Sequence, residues 1–213
     1  MKDHEWGRTA VAYYDWVNCG EAYWDENYPA FKVERAASFG ANVLMLSMQI
    51  GGYSVYPSKW AATVPRLGYD MLAKFRELTH QRDMRLVVYW LGTTPGAALQ
   101  LELHPDWQQR DEENKPIGCM CYVSPYGRHT LGQVKEILAG YDVDGVYFDQ
   151  MPVGCFCSFC QAKFKVMFNR DLMELVGAVR ADGGGGFSHL EAEDYGEAAL
   201  SGGSQIRQFI QAN

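Results

Sequence analysis

The sequence has no run of eighteen or more apolar residues, so no segment reads as a membrane-spanning helix. Its N-terminus, Met1-Lys2-Asp3-His4-Glu5-Trp6, lacks the apolar stretch and small-residue cleavage site of a secretory signal, which predicts a cytoplasmic protein. Positive charge is in deficit. Lys and Arg total 19 against 26 Asp and Glu, for a net charge of −7, and no basic run offsets this. Such a chain repels phosphate backbones, which excludes nucleic acid as an expected partner. No internal repeat is found, which argues against a repeat architecture.

Aromatic residues, by contrast, are plentiful at 14% of the chain. Aromatic rings stack on flat ligands such as sugars, but they serve cores more often. Apolar patterning is strong as well. Strand-like runs occur at Val11–Tyr14, Val43–Met48, Arg85–Trp90 and Val143–Asp149. Helical patterning lies between and after them. Pro29 opens one helix and Gly40 closes it; Met71, Leu72, Phe75 and Leu78 mark a second. Ser124-Pro125 starts a third, whose expected apolar face is Leu131, Val134, Ile137, Leu138 and Tyr141. A fourth is expected from Cys157 to Val179. Residues 49–67 and 92–122 read as long loops.

Strand and helix thus alternate four times, and near-continuous apolar strands suit a parallel sheet covered on both faces. The expected fold is α/β, the N-terminal half of a (β/α)8 barrel with about four parallel strands and crossover helices. Residues 1–180 form this partial barrel. Residues 181–213 contain Gly183–Gly186 and read as a flexible Gly-rich tail with a short helix around Ile206, Phe209 and Ile210. Four parallel strands leave two open edges, so self-association into a homo-oligomer is expected.

The six cysteines are Cys19, Cys119, Cys121, Cys155, Cys157 and Cys160. Cys155, Cys157 and Cys160 form C-x-C-x-x-C. Three thiolates this close cannot all pair as good disulfides, but they can converge on one tetrahedral zinc ion. In a parallel barrel the loops after strands three and four meet on one face, which brings Cys121 or Cys119 in as fourth ligand. Four thiolates leave no open coordination position, so the zinc is expected to be structural.

Asp149 ends the fourth strand. In barrels of this kind the C-terminal ends of the strands carry the chemistry, and a carboxylate there can serve glycoside hydrolysis as nucleophile or acid/base. Asp142 and Asp144, on the opposite rim, are expected to serve the turn. Asp15 and Glu21 are weaker candidates for a second carboxylate. Trp16 and Trp90 are the expected sugar-stacking rings. Gln49, Tyr56 and Lys59 follow the second strand, within reach of substrate hydroxyls. Lys59 and Tyr122 are expected to stabilise the charge on Asp149.

Cys121-Tyr122-Val123-Ser124-Pro125-Tyr126, a strand, then Cys155-x-Cys157-x-x-Cys160 resembles glycoside hydrolase family 42. That resemblance implies a zinc site completed by Cys121 rather than Cys119. In family 42 an Asn-Glu pair ends strand four, with Glu as acid/base; Asp149-Gln150 departs from it. A closer resemblance is to the hypothetical glycosyl hydrolase 6 family. It rests on Gly40-Ala41-Asn42-Val43, Tyr56-Pro57-Ser58-Lys59, His104-Pro105-Asp106-Trp107, the Cys121–Tyr126 stretch, Asp142–Asp149 and the cysteine triplet, and it covers about residues 6–170. Members of that family continue through strands five to eight, so the resemblance implies a chain ending near the fourth βα unit. In related α-L-fucosidase and α-galactosidase barrels an Asp ending strand four is the nucleophile, which implies that role for Asp149. The implied activity is retaining hydrolysis of an oligosaccharide or glycoside. The rival readings are a zinc-stabilised, non-catalytic carbohydrate-binding module and an inactive fragment.

Overall fold

A computed structural model describes residues 8–15, 25–47, 49–91, 94–149 and 154–175. The expected tail, with its short helix, lies outside them. The chain divides into two compact units, one of residues 1–100 and 129–151, the other of residues 101–128 and 152–213.

The first unit is built on a four-stranded parallel sheet in the order β1 (Ala12–Asp15), β2 (Val43–Ser47), β5 (Arg85–Leu91), β8 (Gly145–Asp149). The strands follow chain order across the sheet, as consecutive βα units do in a barrel. The central strands β2 and β5 are the most apolar. Side chains alternate between the two faces of a strand, and the helix-side face is the dry one. Leu44, Leu46, Leu86, Val88 and Trp90 are fully buried there. They join Val33 and Ala36 of α1 (Tyr28–Ser38), Met71, Leu72 and Phe75 of α2 (Met71–His80), and Val134 and Ile137 of α4 (Pro125–Gly140). Each such Leu contributes about 2–5 kcal/mol relative to Ala.

Local chemistry sets the helix ends. The Asp70 carboxylate accepts from the Ala73 backbone N–H at 2.9 Å, capping α2. Ser124 Oγ accepts from Tyr126 N at 3.2 Å ahead of α4, so the Ser-Pro start acts as expected. Gly40 stops α1 at a φ of 72°. At the N-terminal rim, Asp144 Oδ2 accepts from Leu86 N and its Oδ1 from Arg85. The buried Arg76 guanidinium donates to the Tyr141 and Asp142 carbonyls and to the Asp142 carboxylate, at 2.6–3.0 Å. Asp142 and Asp144 therefore serve the turn, as the sequence suggests.

The two long loops carry structure of their own. β3 (Gln49–Ile50) and β4 (Tyr53–Ser54) pair across Gly51 and Gly52, both at positive φ. At φ 92°, and with Leu99 Cβ 2.9 Å from where a Cβ on Gly52 would stand, this position favours glycine. The second unit holds the end of α3 (Thr94–Leu103), a 3-10 turn (Pro105–Trp107), the hairpin β6 (Gln108–Arg110) and β7 (Pro116–Met120), and α5 (Ser158–Phe168).

Two helix expectations need correction. The helix expected over 157–179 ends at Phe168, because Asn169 adopts the left-handed conformation at φ 50°. Helix resumes at Leu172. The expected apolar face of α4 is also too wide. Val134 and Ile137 are buried, whereas Leu131 and Leu138 are 55% and 54% exposed. On the edge strand β8, Tyr147 and Phe148 are 48% and 41% exposed on opposite faces.

Among the described residues no strand pairs with the outer side of β8, and such an edge beside apolar side chains favours self-association. Replacing Phe148 with Lys should raise the monomer fraction in analytical ultracentrifugation at a fixed concentration. An unchanged sedimentation profile that is already monomeric in the parent protein would contradict this.

Candidate metal centre and carboxylate site

The second unit is organised around sulfur. Cys121, Cys155, Cys157 and Cys160 offer ligand atoms that all lie within 4.8 Å of one another. The Cys121–Cys160 Sγ separation is 3.5 Å and the Cys121–Cys157 separation 3.6 Å. A disulfide would need about 2.05 Å. A tetrahedron of thiolates at about 2.3 Å from a zinc ion places the sulfurs about 3.8 Å apart. The cluster therefore has the spacing of a closed tetrahedral metal site. Cys119, at the end of β7, is not in it; Cys19 lies outside the described residues.

The backbone is shaped for this arrangement. Cys121 N donates to the Trp107 carbonyl at 2.8 Å, and Ser124 Oγ donates to the Cys121 carbonyl at 2.5 Å. Gly127 allows the chain to double back, since a Cβ there would meet the Tyr122 carbonyl oxygen at 2.0 Å. On the other side Gly154 takes a φ of 88° just before Cys155, and Phe156 N donates to the Arg110 carbonyl at 2.8 Å. Cys157 stands at the N-cap of α5, and its own N–H points at Cys155 Sγ, 3.5 Å away. Phe156, Phe164, Leu172 and Leu175 pack around the sulfurs.

Hydrogen bonding with Cys121, Cys155 and Cys160 holds the Cys157 thiol far below its ordinary range. The Cys160 thiol is pushed up by hydrogen bonding to the other three and by burial. All four can ionise together only around a cation, so metal binding here releases protons.

The second place of interest is the C-terminal end of the parallel sheet. Leu91 pairs with Asp149 and Tyr89 with Tyr147, so Tyr89, Leu91, Tyr147 and Asp149 share one face. Tyr89 Oη donates to Asp149 Oδ2 at 2.5 Å. The Tyr89 ring lies 4.5 Å from Tyr14 and stacks on Tyr147 at 5.7 Å. Burial, followed by the hydrogen bonds to Asp149 and Tyr14, pushes the Tyr89 phenol far above its ordinary range.

The other sequence candidates are scattered. Trp90 pairs with Phe148, one residue out of phase with Asp149, so it faces the helices and is fully buried. Tyr89 is the aromatic residue that contacts Asp149. Tyr56 is also fully buried. Its hydroxyl reaches the Gln133 carbonyl and Glu136 of α4, while Lys59 N and Ser58 Oγ donate to the same carboxylate at 2.8 and 2.6 Å. Tyr56 and Lys59 therefore belong to a clamp between the β4–α2 loop and α4. Gln49 is buried, and neither of its amide atoms has a hydrogen-bond partner among the described residues. Tyr122 lies in the second unit, with its ring 5.2 Å from Tyr126, and burial followed by that neighbour raises its phenol. Trp16, Glu21 and Gln150 fall outside the described residues, as does the side chain of Asp15.

Sequence reasoning missed Tyr89 and Glu136. Tyr89 could have been found from strand parity once β5 and β8 were aligned. Glu136 contacts residues more than seventy positions away, and no local pattern announces that.

The family model described as hypothetical glycosyl hydrolase 6 matches residues 31–150, more than half of the chain. The chain belongs to the hypothetical glycosyl hydrolase 6 family. No curated protein matches it. Among solved structures it is similar to α-L-fucosidase isoenzyme 2 from Paenibacillus thiaminolyticus, with 22% identity and a TM-score of 0.55 over 86% of this chain and 27% of that one. It also matches a maltogenic α-amylase from Thermotoga neapolitana, with 15% identity and a TM-score of 0.46 over 76% of this chain and 43% of that one. A third match is the α-fucosidase of Thermotoga maritima, with 15% identity and a TM-score of 0.45 over 60% and 29%. The fucosidase likeness shows the fold, a parallel α/β arrangement corresponding to part of a glycosidase barrel. The family member described here spans about a quarter of the length of that fucosidase.

Purification without chelator should give about one metal ion per chain, as four thiolates make one closed site. Cys160→Ser should abolish the stoichiometry and Cys119→Ser should leave it intact, read by elemental analysis. Full metal content in Cys160→Ser would overturn the ligand set.

Proposed function

We propose that this hypothetical glycosyl hydrolase 6 family member carries the strand-four half of a retaining glycosidase site, with Asp149 as the nucleophile. The observation that carries the reading is the position of Asp149. Its carboxylate stands at the C-terminal end of the parallel sheet, on the face away from the helices, and accepts a hydrogen bond from a buried tyrosine. In barrels, substrates meet the sheet at this end. Family membership and the likeness of the fold to a fucosidase support glycoside chemistry.

In the proposed reaction a carboxylate oxygen of Asp149 attacks the anomeric carbon as the bond to the leaving oxygen breaks. A second carboxylic acid gives that oxygen its proton. Water then attacks the glycosyl ester with the second group as base, restoring Asp149 and the acid. Gln49 suits the reading of a substrate hydroxyl, since leaving a buried amide unsatisfied costs about 1–3 kcal/mol and a sugar would remove that cost. The carbohydrate is the proposed partner. The ion in the cysteine cluster is proposed to be zinc, which tetrahedral thiolate sets favour. Its closed coordination gives it a structural part, holding the β7–α4 turn to the start of α5.

Asp149→Asn keeps the shape and removes the charge. Wild-type protein and variant should be compared on a panel of nitrophenyl α- and β-glycosides. On any substrate that turns over, the variant should lose at least about a thousandfold, roughly 4 kcal/mol of barrier. Its circular dichroism and metal content should be unchanged. Turnover within a few-fold of wild type would remove Asp149 from the chemistry.

A further inference from the structure

We infer that Tyr89 is a positioning residue for Asp149, held in place by the rings of Tyr14 and Tyr147, and that the rate of nucleophilic attack depends on its hydroxyl. The inference rests on the reading of Asp149 as nucleophile and adds a residue to it.

The geometry comes from three strands of the sheet. Tyr89 stands on β5, Tyr147 and Asp149 on β8, and Tyr14 on β1. The β5–β8 register places Tyr147 opposite Tyr89, and Asp149 opposite Leu91, two residues further along the same face. A tyrosine side chain leaning along its strand reaches that neighbour, and Tyr89 Oη meets Asp149 Oδ2 at 2.5 Å. Tyr89 is buried, with 4% of its surface exposed. Tyr14 lies 4.5 Å from the Tyr89 ring at a 45° tilt, and Tyr147 stacks on it at 20°. A phenol pinned by two rings loses little further freedom on holding its hydrogen bond, so the bond is preorganised.

Tyr89 acts as a donor. Removal from water disfavours the phenolate, and so does the adjacent carboxylate, so the proton stays on Tyr89 throughout the neutral range. A fixed donor narrows the rotamers open to an attacking carboxylate, whose side chain has two rotatable bonds. Tyr89 therefore acts through Asp149, and no contact between Tyr89 and the sugar is required.

Tyr89→Phe removes one oxygen and leaves both ring contacts. The test compares wild type, Tyr89→Phe and Asp149→Asn in two measurements. The first is steady-state turnover of the best nitrophenyl glycoside. The second is the saturation kinetics of trapping by the matching activated 2-deoxy-2-fluoro glycoside. Loss of a hydrogen bond to a charged group should slow kcat and the limiting trapping rate about tenfold to a hundredfold. KM and the half-saturating trapping concentration should stay within about threefold, and the final amplitude should be complete. A purely structural role would lower the amplitude or weaken binding instead. If Tyr89→Phe traps and turns over within twofold of wild type while Asp149→Asn is inactive, the inference fails and the nucleophile stands. If Asp149→Asn is itself active, the reading beneath the inference fails.

Discussion

The carboxylate site depends on the parity of one strand pairing. Side chains alternate along a strand, so the register of β5 against β8 decides which residues can meet. With Leu91 opposite Asp149, the carboxylate shares a face with Tyr89 and Tyr147, and Trp90 turns to the helices. A one-residue slip of β8 would turn its side chains over and carry Asp149 to the helix-side face, away from Tyr89. Burying a charge without a partner is costly, which defends the register. The dry helix-side core thus does more than stabilise the sheet. It fixes which oxygen reaches which carboxylate at the strand ends.

The second unit solves a different problem. Its described apolar core consists of the sulfurs with Phe156, Phe164, Leu172, Leu175 and a few half-buried neighbours. Small units gain stability from metals or cross-links. Four thiols converging at 3.5–3.6 Å provide the place for such a link. The left-handed glycine at 154 and the close approach at Gly127 are the backbone conditions for bringing the two chain segments together.

Much of this was legible in the sequence, for physical reasons. Central strands buried on both faces leave near-continuous apolar runs, and Val43–Ser47 and Arg85–Leu91 could be read as such. Ser124 followed by Pro125 states a helix start in two residues. C-x-C-x-x-C carries its own geometry, because short spacing forces the sulfurs together, and the Cys121–Tyr126 resemblance chose the fourth ligand. Long-range facts were harder. Composition made Trp90 a stacking candidate, but only strand register shows which face it takes. Tyr56 and Lys59 looked free to reach substrate because nothing nearby reveals that Glu136 holds them. The hairpin at Gly51-Gly52 was hidden in a loop whose strands are two residues each. Asn169 did not read as a stop, since the left-handed conformation of an asparagine depends on its tertiary surroundings as much as on its own preference.

On the proposed mechanism Asp149 forms the covalent bond to the sugar. The most direct measurement is peptide mapping by mass spectrometry after trapping with an activated 2-deoxy-2-fluoro glycoside. The predicted result is one added glycosyl mass on the peptide containing Asp149, with fragmentation assigning it to that side chain. A label on another carboxylate, with Asp149 unmodified, would assign the nucleophile elsewhere.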